Sequence, residues 1–149
     1  MNKKTISTIL LAIFLITIVF TIANAFLSEN NSSQNQTGTL TIENRTVTYE
    51  KSGKCVEVIN GNTIQVYGVG KVQLTQVGSP TAKATQFVKD KCLGKTVYLD
   101  IDDEKPQDDY GRTLAIVYTT DCDINSELLD NGFANISYFE PSEFKKGEV

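Results

Sequence analysis

The chain has 149 residues, 14 basic and 18 acidic side chains, a net charge of −4 and no histidine. Without imidazole there is no Ser-His-Asp or Cys-His machinery and no His-ligated zinc. Cys55, Cys92 and Cys122 are too few for a four-cysteine zinc site and contain no C-x-x-C, so any chemistry rests on carboxylates, Arg, Lys, Tyr or a hard cation.

The first 27 residues predict export or anchoring. Lys3 and Lys4 precede an apolar run from Ile9 to Ala23 whose polar members are Thr17 and Thr21, and Ala23-Asn24-Ala25 follows. The basic end stays inside, which places the rest of the chain outside the cytoplasm. The small-x-small triplet fits signal cleavage, and the length also suits a retained membrane anchor; both readings stay open. Residues 28–53 read as a polar tether, rich in Asn, Ser, Gln and Thr at its start. It carries a small hairpin of Thr39 to Ile42 and Thr46 to Tyr49 around Glu43-Asn44-Arg45. Without residues 1–25, which hold two lysines and no acid, the net charge becomes −6, a sign that repels polyanions at long range.

Residues 54–149 form the main domain, and length makes it a single one. Cys55 to Ile59, Thr63 to Tyr67 and Lys71 to Val77 alternate as three strands. Asn60-Gly61 between the first two predicts a type I′ turn, whose central residues need positive φ. Ser79-Pro80 predicts a helix start, and Ala84, Phe87, Val88 and Cys92 give that helix one apolar face. Gly94 is placed to end it in the left-handed conformation. Lys95 to Ile101 and Thr113 to Tyr118 read as further strands, separated by an acidic loop from Asp102 to Asp109 that is either solvated or a displaced calcium site. Asp123 is placed to cap a short helix ended by Gly132, and the tail beyond Phe139 fades into charge. The expected fold is mainly β with two or three helices: a five-stranded barrel of the oligonucleotide/oligosaccharide-binding (OB) type.

Four stretches in this order resemble the staphylococcal-nuclease (thermonuclease) family. They are Val58-Ile59-Asn60-Gly61-Asn62-Thr63-Ile64, Val72 to Pro80, Asp109-Tyr110-Gly111-Arg112-Thr113-Leu114-Ala115, and Asn125 to Ala134. The resemblance implies the OB barrel and calcium-dependent hydrolysis of phosphodiester bonds in DNA or RNA. In that chemistry carboxylates hold the cation, two guanidiniums neutralise the phosphoryl oxygens, and a carboxylate acts on water. The family's two metal aspartates fall on Asn62 and Gly78, its carbonyl ligand on Ser79, its water-activating glutamate at Thr81 and its first arginine on Gln73. Arg112 keeps the second arginine, and Tyr110 and Tyr138 match positions that flank bound nucleotide. Arg112 either binds phosphate or pairs with Asp108 or Asp109; each tyrosine either flanks a ligand or packs half-buried.

With no carboxylate left at the aligned metal positions, the resemblance implies a degenerate site. The expected protein is a surface binding module for single-stranded nucleic acid, a nucleotide or another surface protein, joined to the membrane through its N-terminal segment if that is retained. The alternative is a phosphodiesterase with an altered metal site, which would use calcium. For the cysteines, a Cys55–Cys92 bridge, a Cys92–Cys122 bridge and free thiols all remain open.

Overall fold

The computed structural model describes residues 34–149, which form eight strands and two helices. The N-terminal signal or anchor and the first part of the tether lie outside the described residues. Among the described residues no helix is long and apolar enough to cross a membrane.

Strands β1 (Gln34–Ile42) and β2 (Arg45–Asn60) form an antiparallel hairpin. Glu43 and Asn44 at its tip both take positive φ, the backbone that a two-residue primed turn requires. The hairpin is not a separate appendage on a tether. β2 runs on without a break, pairing β3 (Thr63–Val66) through Cys55 to Asn60 and β6 (Thr96–Ile101) through Lys51 to Lys54. The folded region therefore begins well before residue 54. β3 pairs β4 (Gly70–Leu74), which runs parallel to β7 (Thr113–Tyr118), and β7 pairs β6. The ladder β2–β3–β4–β7–β6 thus comes back to β2, the strand arrangement of an OB-type barrel.

The expected third strand, Lys71 to Val77, breaks in two. Gln76 takes φ 60°, which kinks the chain and turns β5 (Gln76–Gly78) away to pair with β8 (Asn135–Ser137). The Asn60-Gly61 turn also differs from expectation. Asn60 pairs with Thr63, so Gly61 and Asn62 are the loop residues, and neither takes positive φ. A register shift between Val58 and Asn60 supplies the twist instead. Glycine is needed at 61 for close approach: a Cβ there would stand 2.5 Å from that of Ala84 and 2.8 Å from that of Pro80.

Helix α1 (Ala82–Cys92) is capped by Thr81, whose hydroxyl accepts from the Ala84 N–H at 3.3 Å; Ser79 lies outside the helix at φ 46°. Gly94 adopts φ 76° just past its end, as expected. Asp123 caps α2 (Ile124–Asp130) by accepting from Ser126 N–H at 3.0 Å, and it also pairs with Arg45 at 2.9 Å.

β7 is buried on both faces, which is why its sequence does not alternate. Ala115 and Val117 join the main core with Ile64, Val66, Val72, Leu74, Val88, Leu99 and Leu128. Ile116 and Tyr118 face a second cluster with Ile42, Phe144 and Val149. The C-terminal tail is therefore folded, a departure from the expected charged fade-out. The Gln76 side chain clamps it, donating to Lys145 O at 2.8 Å and accepting from Gly147 N–H at 2.7 Å.

All three cysteines are buried free thiols, so neither bridge open from the sequence is formed. Each of two has its own partner: Cys55 Sγ lies 3.5 Å from Glu57 O and Cys122 Sγ 3.7 Å from Thr119 Oγ1. Burial, reinforced by the neighbouring Cys55 and Cys122, pushes the Cys92 thiol up to about 12, so it stays protonated and unreactive at neutral pH.

One cross-strand pair works against the fold. Just beyond the β2–β6 ladder, which ends at Lys51 and Leu99, Glu50 accepts from Ile101 N–H at 2.7 Å and shares a side-chain hydrogen bond with Asp100. Burial, then the carboxylates of Glu50 and Glu143, push the Asp100 carboxyl up to about 7. The folded state thus keeps a proton that the unfolded chain releases near pH 4, so stability falls as pH rises from about 4 to about 7. Asp100→Asn removes that loss. Allowing for solvent screening of this half-exposed group, we expect the variant to be more stable than the wild type by about 1–2 kcal/mol at pH 8. Paired thermal melts at pH 5 and pH 8 check this; an equal difference at both pH values would contradict it.

Candidate functional site

The β3–β4–β5 side of the barrel, the loop before β7 and the segment after β8 surround a cavity of about 580 Å³. Asn62, Gln73, Gly78, Tyr110, Arg112 and Tyr138 all line it. Six of the sequence-predicted positions are therefore brought together. Ser79 and Thr81 are not among the lining residues; Thr81 is committed to capping α1.

Arg112 is fixed by its own loop. Gly111 takes φ 75°, and Asp108 accepts from the N–H groups of Tyr110 and Arg112 at 2.9 Å each and from Arg112 Nε at 2.6 Å. Of the two roles open for Arg112, pairing with Asp108 is realised. Burial acts to raise the Asp108 carboxyl, but these hydrogen bonds and the Arg112 charge outweigh it and hold the group below the usual carboxylate range. The guanidinium turns its Nη1 toward Thr63 Oγ1 at 3.4 Å, and its Nη2 has no hydrogen-bond partner among the described residues. Its centre lies 5.4 Å from the Tyr110 ring centroid, within cation–π range.

Behind Arg112 lies a neutral network. Thr63 Oγ1 stands 2.9 Å from Gln73 Oε1 and 3.2 Å from Asn62 Oδ1, with one proton to give. Asn62 Nδ2 donates to Val77 O at 2.8 Å, and Asn60 Oδ1 accepts from Asn62 N–H at 2.9 Å. Thr63 is buried and its hydroxyl is partnered inside the protein, as buried polar groups must be, while Asn62 and Gln73 are half-buried.

A calcium ion does not fit this arrangement. It needs six to eight oxygen ligands, with affinity set by their charge. Asn62 aims an N–H at Val77 O, and its own oxygen faces the Thr63 hydroxyl. Gly78 offers no side-chain ligand and has no room for one: a Cβ there would stand 2.4 Å from Ser137 Cβ across the β5–β8 ladder. The acidic loop does not supply the missing carboxylates. Asp102 is buried and accepts from the N–H groups of Glu104, Lys105 and Glu143 and from Ser142 Oγ. Among the described residues no group of three or more acidic or thiol side chains is arranged to hold a metal.

The sequence reading missed Thr63, which joins Arg112 to both amides. It also missed Lys105 and Phe139 on the cavity wall. An aromatic beside Tyr138 in a polar tail was the available signal for Phe139. Tyr110 is 86% exposed, which removes the packing reading for it; Tyr138 is half-buried.

The fold is an OB-type barrel with an arginine-bearing cavity on one side, an architecture that serves binding of oligonucleotides and oligosaccharides. The staphylococcal nuclease homologue family model matches residues 69–149, and the chain belongs to that family. It is 26% identical to the thermonuclease of Staphylococcus intermedius over 152 residues, covering 96% of this chain and 86% of that protein. An uncharacterised protein of Bacillus anthracis is 30% identical over 106 residues, covering 60% of this chain and 50% of that protein.

Proposed function

We propose that this protein binds single-stranded nucleic acid or a nucleotide in the cavity around Arg112, outside the cytoplasm, and does not cleave it by the family's calcium route. One observation supports the reading: the two positions aligned with the family's metal aspartates have no side chain free for a cation. The Asn62 amide is bonded across to Val77 O, and Ser137 stands where a Gly78 side chain would project. Removing a single transition-state contact commonly costs about 100- to 1,000-fold in rate; here two metal carboxylates, the water-activating carboxylate and one guanidinium are replaced together. Arg112 lines the cavity, and its Nη2, without a hydrogen-bond partner among the described residues, is a donor for one phosphate oxygen. Placement outside the cytoplasm rests on Lys3, Lys4 and the apolar run that follows.

The test is binding of a labelled single-stranded oligonucleotide of about twelve nucleotides, in the presence of chelator, by the wild type and Arg112→Ala. Binding without calcium that weakens at least about tenfold in the variant is the expected result. No binding, or binding that appears only with calcium, would sink the reading.

A further inference from the structure

The cavity's charge and its rim point to how such a ligand is held. Its lining carries Asp102, Asp108, Asp109 and Glu140 against Lys105 and Arg112. Both cations are already engaged, Arg112 with Asp108 at 2.6 Å and Lys105 with Asp109 at 4.0 Å. A string of phosphates entering here meets a surplus of negative charge, on a chain whose net charge is itself −4. Counterion release, the usual source of nucleic-acid affinity, has little to work with.

The rim offers something else. Phe139 lines the cavity at 73% exposure, and Tyr110 lines it at 86%. Neither ring is spent on the core. Among the described residues neither Phe139 nor Tyr110 packs against another ring, and the Tyr110 ring lies 5.4 Å from the Arg112 guanidinium. Phe139 lies just beyond β8, whose ladder with β5 fixes the start of this segment. The main chain beyond it is held in turn, by Ser142 and Glu143 bonding to Asp102. An exposed phenylalanine on an anchored segment is a preset platform, with little ordering left to do on binding.

We propose that Phe139, with Tyr110, stacks against the bases of a single strand, so that the site reads ring faces and admits at most one phosphate, at Arg112. This rests on the single-strand binding reading given above; the resemblance already implies a nucleotide-flanking position for Tyr110, and what is added here is Phe139, which lies outside the four motifs. Stacking on aromatic side chains is tolerant of base identity, so the ligand class is unpaired nucleobases in general.

The test compares the wild type, Phe139→Ala and Phe139→Tyr on single-stranded DNA of about twelve nucleotides and on an abasic strand of equal length. Phe139→Ala should weaken DNA binding by about tenfold or more, Phe139→Tyr should keep it, and the abasic strand should bind at least about tenfold more weakly. The logarithm of affinity should fall with the logarithm of salt with a slope of magnitude below about 1, as one phosphate contact gives. Thermal melts should be unchanged, since the ring is exposed. DNA binding that survives Phe139→Ala, equal binding of the abasic strand, or a steep salt slope overturns the stacking role while leaving single-strand binding intact. Absence of binding to both strands overturns both.

Discussion

Asn125→Ala is expected to destabilise the domain by about 3–5 kcal/mol, the largest effect we predict for one side chain. Asn125 is 0% exposed and sits at the start of α2. Its Oδ1 accepts from Val117 N–H at 3.0 Å, and its Nδ2 donates to Thr75 O at 2.9 Å and Ala115 O at 3.3 Å. It thus joins α2 to β7 and to the point where β4 gives way to β5. Truncation strands one buried donor and removes a donor from two carbonyls, and it leaves a cavity as well. Ala115 O keeps its bond from Thr75 N–H, which limits the loss there. Thermal or denaturant melts measure the effect. Asn125→Asp sharpens the test: an ionised carboxylate can still accept from Val117 but cannot donate to Thr75 or Ala115. Burial would raise its pKa, so that variant should be least unstable in acid and lose stability as pH rises. A loss below about 1 kcal/mol for Asn125→Ala would contradict the network role.

Asp102→Ala is the second large effect, expected at about 3–4 kcal/mol because the lost bonds are to a carboxylate. The residue is 1% exposed. Its Oδ1 accepts from Glu104 and Lys105 N–H at 3.1 Å and from Glu143 N–H at 3.2 Å, and its Oδ2 accepts from Ser142 Oγ at 2.5 Å. Two of those donors belong to the loop and two to the C-terminal segment, so one carboxylate ties the cavity's two walls together. Losing it should free Phe144 and Val149 from the second cluster. The expected signature is a lower melting temperature with early proteolysis beyond Pro141, where Gln76 remains the other clamp. Asp102→Asn, which keeps three acceptor contacts, should cost far less. Equal proteolysis of wild type and Asp102→Ala would contradict the tie.

Much of the fold was legible because its signals are local. The alternation from Cys55 to Tyr67, the apolar face of α1, the Asp123 cap and the glycines at 94 and 132 each need only their neighbours. β1 was not legible in full, since Gln34 to Ile42 is mostly Gln, Asn, Thr and Gly. Its place comes from the β2 ladder and from Ile42 meeting Phe144 and Val149, contacts made across more than a hundred residues. The tail was missed for the same reason. Asp102 read as one acid in a solvated run, because sequence does not show which acid turns inward onto four donors.

The site was legible in part through motif order, which brought Asn62, Gln73, Gly78, Tyr110, Arg112 and Tyr138 to one cavity. Its substance was not. At Gly78 the sequence shows a lost aspartate; only the β5–β8 ladder shows that Ser137 leaves no room for one. At Thr81 it shows a lost glutamate, and the structure gives the hydroxyl to the cap of α1. Phe139 lies outside the four motifs, and its meaning comes from exposure at the cavity rim.

The most direct measurement is a cleavage assay on denatured DNA and on RNA, with calcium and with chelator, using Arg112→Ala as the background control. The account predicts no cleavage by the wild type above that background, in calcium as in chelator. Calcium-dependent cleavage that disappears in Arg112→Ala would contradict it, because the cation would then be held by ligands other than Asn62 and Gly78.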